Sequence, residues 1–176
     1  MGTRSRIGVM HGTNCKSVYC HWDGYLDFNG RILLEHYDST KANFLVALGD
    51  LSSLRPVIGQ AHPFSETEIK NDDPEREAKL SLLKLAKDEG WSTFYGRDRG
   101  ETGTEWKTDT TFEAFLERAD GCGAEYYYIM KDGEWYVGTT YESDEKMDGK
   151  LVLLAEVLAE QDIETAETSN WNQVTV

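Results

Sequence analysis

Positive charge is what this 176-residue chain is short of: 18 Lys and Arg stand against 32 Asp and Glu, a formal net of −14. Nucleic-acid affinity comes mainly from neutralising phosphates with Lys and Arg, so direct binding to DNA or RNA is not expected. Cysteine is scarce as well. Cys15, Cys20 and Cys122 are odd in number and lack Cys-x-x-Cys spacing, which excludes a disulfide framework and a zinc knuckle and fits a reducing compartment. No apolar run approaches the roughly 20 residues that span a bilayer, so no membrane contact is expected. Residues 1–10 carry Arg4 and Arg6 but lead into no apolar core, so secretion is not expected either. Neither Gly-x4-Gly-Lys-Ser/Thr nor Gly-x-Gly-x-x-Gly occurs, and no cofactor is implied.

What is present suits one globular domain that buries roughly two-thirds of its unfolded surface. The charge is lopsided. Residues 1–60 hold six Lys/Arg and five Asp/Glu, a net of +1, whereas residues 61–176 hold twelve against twenty-seven, a net of −15. An acidic half of this kind attracts basic partners over about a Debye length.

Hydrophobic periodicity places the elements. Ile7 and Val9, then Val18, Cys20 and Trp22, alternate across Gly12-Thr13-Asn14, which predicts a β-hairpin. Short helices are expected after Asn29 and after Ser39 or Thr40, the second ending at Gly49. Residues 50–72 read as a loop. Asp73-Pro74 starts a helix that Gly90 ends. Residues 91–95 form a strand and residues 96–109 a polar loop, after which a Thr110/Glu113 capping box opens a helix to Gly121. A second hairpin spans residues 125–141 around Asp132-Gly133, and Leu151, Leu154, Ala155 and Leu158 define a last helix. The fold class is therefore α+β: a mostly antiparallel sheet of about five strands, two hairpins plus a single strand, with helices on one face. Residues 1–160 make the domain, and 161–176 a polar, flexible tail that Trp171 can pin.

Four groups of residues carry candidate chemistry. Cys20-His21-Trp22-Asp23-Gly24-Tyr25 gathers polar and aromatic groups at a strand end. Cys20 and His21 point to opposite faces of a regular strand, so neither a shared metal ion nor a Cys–His nucleophile is expected. Arg97 and Arg99 flank Asp98 between glycines, where planar guanidinium groups grip either an external phosphate or the protein's own carboxylates. With Arg4, Arg6, His21 and Asp23 they define a possible ligand pocket. Glu142, Asp144, Glu145, Asp148, Glu156, Glu160, Asp162 and Glu164 form an acidic face. Tyr127, Trp135, Tyr136 and Tyr141 are its expected aromatic anchors, or else core.

Gly2-Thr3-Arg4-Ser5-Arg6-Ile7, the 20–25 segment with Leu33-Leu34-Glu35-His36-Tyr37, Ala47-Leu48-Gly49-Asp50-Leu51-Ser52-Ser53-Leu54, and the Gly96-Arg97-Asp98-Arg99-Gly100-Glu101 loop resemble a family of small uncharacterised bacteriophage proteins, over roughly residues 1–140. The resemblance implies a phage-encoded protein in the cytoplasm of an infected bacterium. It carries no catalytic residues. Small acidic phage proteins often bind host machinery, including CRISPR effectors and other defence or nucleic-acid-handling proteins. The leading expectation is thus an anti-defence or host-takeover inhibitor that binds a basic host protein. A nucleotide or small-molecule binder built on the arginine, histidine and aspartate residues is the alternative.

Overall fold

The computed structural model describes residues 2–141 and 145–174, with side chains described as far as Ser169. The first hairpin joins β1 (Ser5–His11) to β2 (Asn14–Cys20), antiparallel, with Gly12 at positive φ in the turn. The second joins β6 (Tyr126–Lys131) to β7 (Glu134–Thr139) through Asp132 and Gly133, both at positive φ, as a two-residue turn of matching twist requires. The hairpins meet through a parallel pairing of β1 with β6, Ser5 opposite Tyr126 and Val9 opposite Met130. β3 (Leu51–Ser53) runs parallel to the end of β2, and β4 (Thr93–Phe94) pairs antiparallel with β3. β5 (Lys107–Asp109) lies against the other end of β2, and β8 (Val152–Leu153) against β7. The sheet is mixed, with eight strands among the described residues in the order β4-β3-β2-β1-β6-β7-β8, plus β5 beside β2.

The α+β class holds, but the antiparallel five-stranded sheet does not. Two parallel pairings and three strands of two or three residues, β3, β5 and β8, make up the difference. Such strands are too short to show a period of two.

Helices also cover both faces rather than one. Ile7, Val9, Val18, Cys20, Tyr128, Met130 and Val137 point to a core shared with Leu33 of α1 (Arg31–His36), Ala42 and Leu45 of α2 (Ser39–Ala47), and Leu154 and Leu158 of α6 (Leu154–Val174). Cys15, Tyr127 and Ile129 face the other way, onto Phe115 and Ala119 of α5 (Phe112–Gly121). Alternation along each strand feeds two cores. α3 (Arg76–Glu89) buries Leu83 and Ala86 and ends at Gly90, whose φ of 70° suits glycine. No described helix is long and apolar enough to cross a membrane.

Local chemistry explains the helix ends. Asp38 caps α2 by accepting from Lys41 N at 2.8 Å, and Thr111 caps α5 by accepting from Ala114 N at 3.1 Å. A short π-helical turn (Leu26–Gly30) delivers the chain into α1. The stretch read as a loop after Gly96 instead opens with α4 (Tyr95–Arg99). Beyond residue 160 the chain continues as α6 to Val174.

Candidate functional site

The end of β2 positions the first group. Tyr19 and His21 share a face at spacing two, and the Tyr19 hydroxyl lies 2.6 Å from His21 Nδ1. Partial burial, and secondarily the positive charge of Arg4, lower the His21 pKa below the ordinary 6.5 and favour the neutral ring. Burial pushes Tyr19 up to about 12, with Arg4 opposing it. Arg4 is thus near enough for its charge to act on both rings. Cys20, on the opposite face, is fully buried and raised to about 11 by that burial, which keeps it an inert thiol.

The other members of the expected ligand pocket lie elsewhere. Arg6 is buried, donating to Ser17 Oγ at 2.8 Å and to the Ser17 carbonyl at 3.2 Å. Asp23, at a φ of 58°, has its carboxylate 4.0 Å from Arg55. Arg97 donates to the carbonyls of Ile58 (3.0 Å) and Ser92 (2.8 Å) and to Asp98 Oδ1 (2.9 Å), with its guanidinium over the Phe94 ring. Asp98 also accepts from Phe94 N at 2.7 Å and His62 N at 3.1 Å. Arg99 lies against Phe64 and Tyr95 and pairs with Glu68 (3.2 Å) and Glu101 (2.8 Å). Both guanidinium groups of this loop are thus engaged by the protein itself, so the six residues do not form one pocket.

The acidic group is disposed differently. Glu142 and Asp144 lie outside the described residues. Glu145, Glu156, Glu160, Asp162 and Glu164 are exposed and Asp148 is half-buried. Asp162 ties α6 to α1 through Arg31, 2.9 Å away, and Glu160 lies 3.9 Å from Lys146. α6 carries five carboxylates and no Lys or Arg. Glu156, Glu160, Glu164 and Glu167 follow one another at spacings of four, four and three and so share one stripe. Every side chain from Asp162 to Ser169 is exposed, Ile163 by 58%. Only the first turns of α6 pack on the sheet.

Two of the four expected aromatic anchors are core instead. Tyr127 is fully buried edge-on to Phe115, its hydroxyl donating to the Lys150 carbonyl. Trp135 is buried, with its indole N–H donating to the Tyr37 carbonyl at 2.9 Å. Strand alternation put both inside because each face of the sheet has a helix to meet. Tyr136 and Tyr141 are half-buried, and the Tyr141 hydroxyl donates to that of Tyr126 at 3.1 Å.

Where α6 starts, its stripe meets a groove of about 670 Å³. The floor is Leu34, Tyr37, Met130, Trp135 and Leu153, and the rim carries Glu35, Asp38, Glu134 and Glu156. Lys41 also lines it, but its ammonium donates to the backbone carbonyls of His36 and Pro56 and lies over the Tyr37 ring. The rim is therefore net negative over an apolar base. Sequence reasoning missed this groove because its walls come from three separate stretches of chain, residues 34–41, 130–135 and 153–156.

It also missed His62, which belongs to no motif. The ring is buried in the wall shared by two cavities of about 520 and 400 Å³.

No protein-family model, curated protein or solved structure matches this chain.

Proposed function

We propose that this protein works by binding, using the acidic stripe of α6 and the groove at its base to engage a basic surface on another protein. The observation that carries the reading is α6 itself: a helix with five carboxylates and no Lys or Arg of its own, whose side chains from Asp162 to Ser169 are all exposed. Like charges at spacing four destabilise an isolated helix by a few tenths of a kcal/mol per pair. A cationic partner relieves that repulsion, and the groove gives the alkyl or aromatic parts of its side chains somewhere to pack. Given the resemblance to bacteriophage proteins, the proposed partner is a nucleic-acid-handling host protein, a CRISPR effector or another defence factor among them, met in the cytoplasm of the infected cell.

Affinity capture from bacterial host lysate, followed by mass spectrometry, tests this. Wild-type protein is expected to retain a basic nucleic-acid-handling or defence protein, and E156K/E160K/E164K to lose it. Equal capture by both, or no such protein with either, contradicts the reading.

A second reading rests on the Tyr19–His21 hydrogen bond with the charge of exposed Arg4 acting on both rings, which suits a phosphate-bearing small molecule. A thermal-shift screen over linear and cyclic nucleotides is then expected to raise the melting temperature by mass action. A screen without a shift removes this reading and leaves the first intact.

A further inference from the structure

The buried imidazole of His62 sits in a hydrogen-bonded chain that the acidic face does not use. Its Nδ1 lies 3.2 Å from the Gln60 carbonyl oxygen and 3.4 Å from Asp98 Oδ1. A carbonyl oxygen only accepts, so Nδ1 carries the hydrogen. Burial lowers the ring's pKa below 6.5 and Arg97 adds to the effect, while Asp98 opposes it. The ring is then neutral at pH 7, with its lone pair on Nε2. Thr93 Oγ1 lies 3.2 Å from that nitrogen, so the threonine hydroxyl is the donor. Its own lone pairs are left for the cavity of about 400 Å³ that Thr93 lines together with Ser53, Arg55 and Lys87.

We propose that Thr93 is a nucleophile with His62 as its general base, acting on a small carboxylic ester that bears a negative charge. Asp98 and the Gln60 carbonyl are positioning groups that fix the ring's tautomer and orientation. Arg55 and Lys87 bring positive charge to the same cavity, and its volume lies within the range of small-molecule sites. In the first step Thr93 Oγ1 bonds to the ester carbonyl carbon and its proton moves to His62 Nε2. The bond to the alcohol oxygen breaks, and the departing alkoxide takes the proton from Nε2. Water then attacks the acyl-threonine carbonyl, passing a proton to Nε2. The acyl–Oγ1 bond breaks and Thr93 recovers its proton. The balance is ester plus water giving acid plus alcohol, with no other reactant.

The test uses 4-nitrophenyl hemisuccinate, read by nitrophenolate release and by intact-protein mass with peptide mapping. The wild type is expected to form one succinyl adduct, mapped to Thr93. Its rate should rise with pH as His62 loses its proton and level off by neutrality. T93V keeps the side-chain shape and is expected to give no adduct, T93S to retain one, and H62Q to slow release about 100-fold. K87A should raise KM for the charged ester more than that for 4-nitrophenyl acetate, and an equal effect on both contradicts a charge-reading role for Lys87. Circular dichroism and thermal melts establish that each variant is folded. Should T93V or H62Q fail to fold, the wild-type adduct map and pH profile still decide. No adduct above solvent hydrolysis, an adduct mapped to another residue, or one that persists in folded T93V overturns the proposal. None of these outcomes bears on the acidic-face reading.

Discussion

Replacing Arg97 with alanine is expected to cost about 3–5 kcal/mol of folding stability, because it leaves a buried carboxylate without its cation. Asp98 has no exposed side-chain surface, and the Arg97 side chain is only 13% exposed. Removing the guanidinium deletes both bonds to Asp98 and both bonds to the Ile58 and Ser92 carbonyls. Phe94 N and His62 N still reach the carboxylate, which keeps the loss from going higher. Arg99, two residues on, is the control. Its side chain is 37% exposed and its pairs with Glu68 and Glu101 are solvent-screened, so R99A is expected to leave stability nearly unchanged. Urea unfolding followed by tryptophan fluorescence measures both. For a domain of this size the Arg97 change corresponds to a melting temperature lower by roughly 6–20 °C. If R97A unfolds within about 1 kcal/mol of R99A, the buried-pair reasoning is wrong, and Arg97 returns as a candidate ligand-binding group.

Stability should also fall on acidification below about pH 6.5, because His62 has a lowered pKa when folded and an ordinary one when unfolded. Between the two values the unfolded chain binds more protons, so the contribution is present above 6.5 and is lost toward the folded pKa. H62Q should flatten that limb of a stability–pH curve, and an unchanged limb refutes the assignment. G138A should be among the most damaging single substitutions, since a β-carbon there would stand 2.0 Å from the Lys150 carbonyl oxygen and 2.2 Å from the Tyr127 hydroxyl. A loss of about 3 kcal/mol, the upper end for overpacking, is expected in the same urea assay, and a neutral result contradicts the close packing of β7. Thiol titration should find Cys122 reacting first. Cys15, raised to about 12, and Cys20, raised to about 11, should stay slow until denaturant is added.

Local pattern carried the parts of this fold that depend on local chemistry. Val18 and Cys20 alternate toward one core and Asp132-Gly133 closes a tight turn, so both hairpins were legible. The α5 start was legible to one residue, since Thr111 rather than Thr110 supplies the cap. The parallel contact of β1 with β6 was not, because nothing near Ser5 encodes a partner at Tyr126. β3, β5 and β8 are too short to show periodicity, whereas the strand expected over residues 91–95 is there as β4. α4 was hidden by its glycines and forms where Asp98 can take Phe94 N and Arg97 together.

The same limit applied to the site. Arg97 and Arg99 look alike in sequence, yet one is anchored beneath the surface and the other lies along it. The partners of His62, Thr93 and Asp98, stand 31 and 36 residues away, so no spacing rule pointed to them. The acidic stripe of α6 was readable as charge. The exposure of every side chain from Asp162 to Ser169 was not, because that depends on what fails to pack against them.

The most direct test is the affinity of the captured partner measured against salt, for wild type and for E156K/E160K/E164K, by titration calorimetry. Wild-type affinity is expected to fall at least about tenfold between 0.05 and 0.3 M salt, while the reversed-charge variant binds weakly throughout with a flat dependence. Affinity indifferent to salt, or a variant that binds as tightly as the wild type, would contradict recognition through the acidic face.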